Sequence, residues 1–106
     1  MGWWGAIGAT ESLIVYADSK LYTNGKVELH IANKGSAAAV IYKVEIVGIG
    51  YESLDQEKTL TPGQDTSVEV TIDAARDKIV AGAQYVVKVY TKAGNVYQVT
   101  LTAEQG

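Results

Sequence analysis

An antiparallel all-β sandwich is the fold class this sequence predicts, and three observations predict it. About seven segments read as strands, turn signals fall about every ten residues between them, and no amphipathic helical pattern is long enough to supply the crossovers of a parallel sheet. A closed barrel is the alternative arrangement of the same strands. The 106 residues suit one domain, and 47% hydrophobic with 20% charged residues is the composition of an ordinary folded chain. With no cysteine, stability has to come from burial, and no oxidising compartment is required.

Residues 12–22 are rich in β-branched and aromatic side chains and read as the first strand. Residues 26–33 alternate strictly, with Val27, Leu29 and Ile31 on one face and Glu28, His30 and Ala32 on the other. Between them Asn24-Gly25 is the dipeptide that tolerates positive φ at both central positions of a type I′ turn, which makes Asn24 and Gly25 fold-defining residues of a hairpin. Asn33-Lys34-Gly35-Ser36 is the next turn. Residues 38–48 form the next strand, with Val40, Tyr42, Val44 and Ile46 expected towards the core and Lys43 and Glu45 away from it. Gly48 and Gly50 then interrupt the pattern, as glycines at a bulge or bend do.

Residues 51–60 are read as two short strands about a turn at Asp55-Gln56-Glu57-Lys58, followed by a clearer turn at Thr61-Pro62-Gly63-Gln64. Residues 67–72 alternate again and put Val68, Val70 and Ile72 inside. Asp73 is placed to cap a single helical turn over residues 73–78, too short for an independent helix and suited to crossing between sheets. Residues 84–91 and 96–102 are the last two strands, joined through Lys92-Ala93-Gly94-Asn95.

Entry into the penultimate strand, Ile79-Val80-Ala81-Gly82-Ala83-Gln84-Tyr85, resembles the tyrosine corner of immunoglobulin-like and fibronectin type III domains. That resemblance implies an immunoglobulin-like sandwich in which the Tyr85 hydroxyl returns to backbone upstream, with Gly82 and Tyr85 as fold-defining residues. Ala81 stands where the fibronectin pattern commonly has proline, and the core tryptophan and disulfide of antibody domains are missing.

Residues 1–10 form a separate apolar, aromatic and glycine-rich segment without charge, and residues 11–106 form the single domain. The segment is shorter than the roughly 20 apolar residues of a membrane span and lacks the basic start of a signal peptide. Its paired Trp3-Trp4 suits either the interfacial end of a membrane or filament helix whose upstream part has been removed, or a plug over an open sheet edge.

The Trp3-Trp4-Gly5 junction, the strand-turn-strand over residues 21–35 and the last hairpin Tyr90-Thr91-Lys92-Ala93-Gly94-Asn95-Val96-Tyr97 together resemble the extracytoplasmic domain of archaeal type IV pilin-like proteins, archaellins and archaellum stator proteins among them. The resemblance implies a non-catalytic structural or assembly domain of an archaeal cell-surface filament or its envelope anchor. It implies an extracellular or cell-surface location, membrane attachment only through an upstream helix absent from this chain, and protein partners, either further copies or an envelope protein. A secreted adhesive or ligand-binding module, with Tyr51 or Tyr97 on contact loops, is the alternative.

The residues present argue against catalysis. The one imidazole, His30, lies on the outer face of its strand with nothing to mark a triad or a zinc spacing, and is expected to be solvated. Glu28, Glu45 and Glu69 are on outward strand faces, where carboxylates serve solubility. The acidic turns at Asp55-Gln56-Glu57 and Asp73-Ala74-Ala75-Arg76-Asp77 lack EF-hand spacing and have Lys58, Arg76 and Lys78 nearby. No glycine-rich loop opens a helix as a phosphate site would. The formal charge of -3, with nine Lys and Arg spread along the chain, argues against nucleic acid. No catalytic residue, metal ligand or cofactor is therefore expected. Contact surfaces remain, and Trp3, Trp4, Ile41, Val47 and Ile49 are the candidate interface residues, the last three because they fall opposite the expected core set of their strand.

Overall fold

A computed structural model describes residues 9–106. The described residues are all-β, and their eight strands form one curled, mixed sheet that makes a half-barrel. In order they are β1 (Leu13–Val15), β2 (Lys20–Tyr22), β3 (Lys26–Asn33), β4 (Ala39–Ile46), β5 (Gly50–Leu60), β6 (Asp65–Thr71), β7 (Gln84–Thr91) and β8 (Val96–Glu104). A 3-10 turn at Asp73–Ala75 joins β6 towards β7, with Ile72 in the capping position where Asp73 was expected. Among the described residues no helix is long and apolar enough to cross a membrane.

Strand β3 organises one side of the sheet. β6 pairs along one of its edges from Lys26↔Thr71 to Ala32↔Asp65. The other edge is shared, because β1 pairs the C-terminal half of β3 at Leu13↔Asn33 and β2 the N-terminal half at Lys20↔Glu28. The stretch read as one strand over residues 12–22 is thus two short ones separated by a link at residues 16–19. β2 also pairs β8, and in parallel, at Leu21↔Ala103 and Tyr22↔Glu104. That pairing makes the sheet mixed where a purely antiparallel one was expected, and carries it round through β8, β7, β4 and β5.

The alternation of β3 and β6 sets the core: Val27, Leu29, Ile31, Val68, Val70 and Ile72 are buried together with Leu21, Leu60, Val87, Val89 and Leu101. Each such side chain contributes about 1.5–3 kcal/mol by leaving water. In β4 the expected phase is wrong over its first half. Ala39 and Ile41 are fully buried, Val40 and Tyr42 are only half-buried, and Val44 and Ile46 are buried again. The cause is a β-bulge: Ile41 faces Thr91 and Lys43 faces Tyr90, so the strand holds one extra residue between them and changes face. Ile41 is therefore a core residue and not an interface residue.

The hairpin at Asn24-Gly25 also departs from expectation. Gly25 has φ +90°, whereas Asn24 is not among the positive-φ residues, so this is no type I′ turn. The Gly25 amide donates to the Tyr22 carbonyl at 3.0 Å, which closes a three-residue loop with a left-handed glycine at its end. The loop is held from both sides, by the Thr23 amide on the Glu104 carbonyl and the Ile72 amide on the Gly25 carbonyl, each at 2.9 Å. A Cβ on Gly25 would sit 2.5 Å from the Ile72 carbonyl oxygen, so approach as well as φ requires glycine.

Candidate functional site

On the outer face of β2, β3 and β6 lies an open groove of about 580 Å³, lined by Asp18, Lys20, Glu28, His30, Asp65 and Glu69 among others. Register explains the gathering. Glu28 stands opposite Glu69 and Ser67 opposite His30 across β3–β6, while the link between β1 and β2 brings Asp18 over the same face.

His30 is at the centre, and it is not the solvated side chain expected. Its Nδ1 donates to Asp18 Oδ1 at 2.8 Å and its Nε2 to Asp65 Oδ1 at 2.6 Å. The ring lies against Tyr16, centroids 4.4 Å apart, and the side chain is 34% exposed. The hydrogen bond to Asp18 first, then that to Asp65, raises its pKa above the ordinary histidine value, against the opposing effect of burial. With a carboxylate at each ring nitrogen, only the imidazolium, which has two N–H donors, satisfies both contacts. In this state it has no free nitrogen to accept a proton from a nucleophile, and the hydroxyl nearest in the network, Ser19 Oγ, accepts from the His30 amide at 2.9 Å.

The carboxylates of the groove are committed in similar ways. Glu28 accepts from the Tyr22 hydroxyl at 3.0 Å, and that bond raises the Tyr22 pKa; Glu69 pairs with Lys26 at 3.4 Å. These partners offset the like-charge contact between Glu28 and Glu69. The two aspartates approach His30 from opposite ends of its ring, so they do not converge on a common point. Among the described residues no three His, Asp or Glu side chains could hold a metal ion together. The turn expected at Asp55-Gln56-Glu57-Lys58 is not formed, since β5 runs as one strand from Gly50 to Leu60 with a shift of register against β4; there Glu57 pairs with Lys92 at 2.8 Å, and in the 3-10 turn Asp73 pairs with Arg76 at 3.3 Å.

A second surface occupies the outer face of β4, β5 and β7. The Lys43 ammonium lies 4.2 Å from the Tyr90 ring centroid and 5.1 Å from that of Tyr51, and Lys92 lies 5.3 Å from that of Tyr42. The Tyr90 hydroxyl donates to Glu45 at 2.5 Å, which raises the Tyr90 pKa. Tyr51 is 58% exposed on β5, which among the described residues forms a strand ladder with β4 alone. The bulge in β4 is what turns Tyr42 and Lys43 outward together.

The remaining sequence-selected residues fall in different places. The Tyr85 hydroxyl accepts from the Val80 amide at 2.9 Å, and Gly82, with φ +88°, donates its amide to the Ala103 carbonyl. Val47 is exposed at the end of β4, Ile49 packs against the core, and Ile41 is buried. Trp3 and Trp4 lie outside the described residues.

Two ties escape sequence reasoning altogether. Asn33, fully buried, donates from Nδ2 to the Ala37 carbonyl at 2.8 Å and the Leu60 carbonyl at 3.0 Å, while its Oδ1 accepts from the amides of Ser12 and Gly35. Glu11 Oε2 accepts from Thr91 Oγ1, Asn95 Nδ2 and the Tyr97 hydroxyl, at 2.6, 3.2 and 3.0 Å. Burial first and the Glu11 bond second raise the Tyr97 pKa. Asn33 carries a turn signal in the sequence, but nothing there marks it as buried, and nothing links Glu11 to a hairpin 80 residues and more away.

No protein-family model matches the chain, and no curated protein matches it.

Proposed function

We propose that this chain is a non-catalytic structural domain of an archaeal cell-surface filament or its envelope anchor, of the pilin-like kind, acting outside the cytoplasm through contacts with further copies or an envelope protein. The observation that carries the non-catalytic part is the commitment of both His30 nitrogens to aspartates. The one side chain whose ordinary pKa suits acid–base work near neutrality is used to hold strands together. The contact part rests on the face of β4, β5 and β7, where Lys43 lies against Tyr51 of β5, the strand that ends the sheet order among the described residues.

The finer architecture we propose is immunoglobulin-like. β3 and β6 with β1 supply one layer and β4, β7 and β8 the other, and the Tyr85 hydroxyl bonds to backbone five residues upstream at the entry to β7. On this reading the half-barrel is a sandwich whose layers stay joined through the β2–β8 pair.

The test is the intact mass and N-terminal peptide of the protein isolated from the envelope of its native cells. The filament reading expects about 20 or more apolar residues before Trp3. The exposure of Tyr51 next to Lys43 favours one other reading, a secreted adhesive module, and a mature chain beginning at Met1 or Gly2 would decide for it.

A further inference from the structure

The link between β1 and β2 is where the first edge of the sheet changes partner, from β3 alone to β3 and β8. Few backbone bonds hold it. The Tyr16 amide donates to the His30 carbonyl at 2.9 Å and the Ser19 amide to the Tyr16 carbonyl at 3.1 Å, and the His30 amide reaches Ser19 Oγ. β6, on the far side of β3, is paired along its whole length.

We propose that Asp18, His30 and Asp65 form a proton-operated latch, which fastens the β1–β2 link across β3 to β6 and releases the link when the imidazolium loses its proton. A charged imidazole has two N–H donors, and here each has a carboxylate. A neutral one has a single donor, so deprotonation leaves one aspartate facing a ring lone pair. Asp65 is fixed by the β3–β6 ladder and keeps the remaining N–H. Asp18, on the weakly held link, is the partner that leaves.

The groups facing the ring come from every element around it. Asp18 belongs to the link, Lys20 to β2, Glu28 to β3 itself, and Asp65 and Glu69 to β6, with the Tyr16 ring on one face. Asp18 first and Asp65 second favour the imidazolium and raise the His30 pKa, while burial opposes them and the Lys20 ammonium carries a charge of the same sign as the imidazolium. A histidine whose folded pKa is raised contributes its stabilisation fully below the unfolded value of about 6.5 and loses it as pH rises through the higher folded value. The latch is therefore closed while the imidazole is protonated and opens as pH rises through the raised folded value. This inference stands apart from the assembly reading, since it concerns the fastening of one link and no partner.

The experiment is NMR of the ¹⁵N-labelled chain, in which the single histidine is unambiguous. At about pH 6 both ring nitrogens should carry protons, and the titration midpoint should lie above about 6.5. Protection of the Ser19 and His30 amides, corrected for intrinsic base catalysis, should fall across that same midpoint. The fall should be about tenfold for each unit by which the midpoint exceeds the ordinary value. The β3–β6 amides should not respond. Asp18→Asn and Asp65→Asn should each lower the midpoint, and His30→Gln, which can satisfy only one aspartate, should leave the Ser19 amide poorly protected at every pH. A midpoint at or below about 6.5, or Ser19 protection that ignores the His30 titration, overturns the latch even if every variant folds.

Discussion

Asn33→Asp is the substitution that most sharply separates a buried hydrogen-bond hub from an ordinary turn residue. The two side chains have nearly the same shape, so packing is conserved. What changes is that two N–H donors, 2.8 Å from the Ala37 carbonyl and 3.0 Å from the Leu60 carbonyl, are replaced by an acceptor oxygen at a fully buried position. Leaving the Leu60 carbonyl without a partner costs about 1–3 kcal/mol, and the bond to Ala37 is worth about 0.5–1.5 kcal/mol where water can partly replace it. Repulsion between the carboxylate and both carbonyls adds to this, for a loss of about 3–5 kcal/mol out of the roughly 5–15 kcal/mol typical of a domain.

The penalty depends on pH in a definite direction. Burial, together with two carbonyl oxygens facing one carboxylate oxygen, raises the pKa of the acid introduced at position 33 above its unfolded value. The amides of Ser12 and Gly35, which still donate to the other oxygen, only partly oppose that rise. Stability relative to the parent should thus decline from about pH 3.9 upwards and level off above the raised folded pKa. Urea denaturation followed by far-UV circular dichroism, at about pH 4 and about pH 7, measures this directly. A shifted midpoint with unchanged slope is a stability change alone. Asn33→Ala, which removes all four bonds without adding charge, should lose about 3–5 kcal/mol with little difference between the two pH values. Losses under about 1 kcal/mol for both variants would refute the hub.

Gly25→Ala and Gly82→Ala share a positive φ, but only the first meets the Ile72 carbonyl; thermal melts should show about 1–2 kcal/mol lost at Gly82 and clearly more at Gly25. Ile41→Lys should prevent folding, because it buries an unpaired charge, whereas Val47→Lys should fold with a parent-like dichroism spectrum. A folded Ile41→Lys would put that side chain on the outer face and remove the bulge from the account. Tyr85→Phe removes the acceptor for the Val80 amide, and urea titration should show about 0.5–1.5 kcal/mol lost.

The strands were legible wherever two-residue alternation runs uninterrupted, as it does over Val27, Leu29 and Ile31 and again over Val68, Val70 and Ile72. It failed at Ile41, because one inserted residue reverses the assignment of face across it, and Tyr42 carries no mark of a bulge. The division of the first strand at residues 16–19 was hidden for another reason. Its change of partner depends on β8, which lies at the other end of the chain. Non-local pairing also explains the site. Asp18 and Asp65 stand 12 and 35 residues from His30, and only the fold of β3 against β6 makes three unremarkable surface residues into one hydrogen-bonded unit. Asn33 had the residue type and the place of an exposed turn, but the turn is covered by Ser12, Leu60 and Gln64, whose carbonyl accepts the Asn33 amide.

The central claim, a structural domain of a surface filament or its anchor, is tested most directly by quantitative mass spectrometry of filaments and envelope sheared from native cells. The account predicts that this chain is enriched there in fixed proportion to the filament or envelope protein it contacts. Recovery of the chain only as free protein, without enrichment in either fraction, would contradict it.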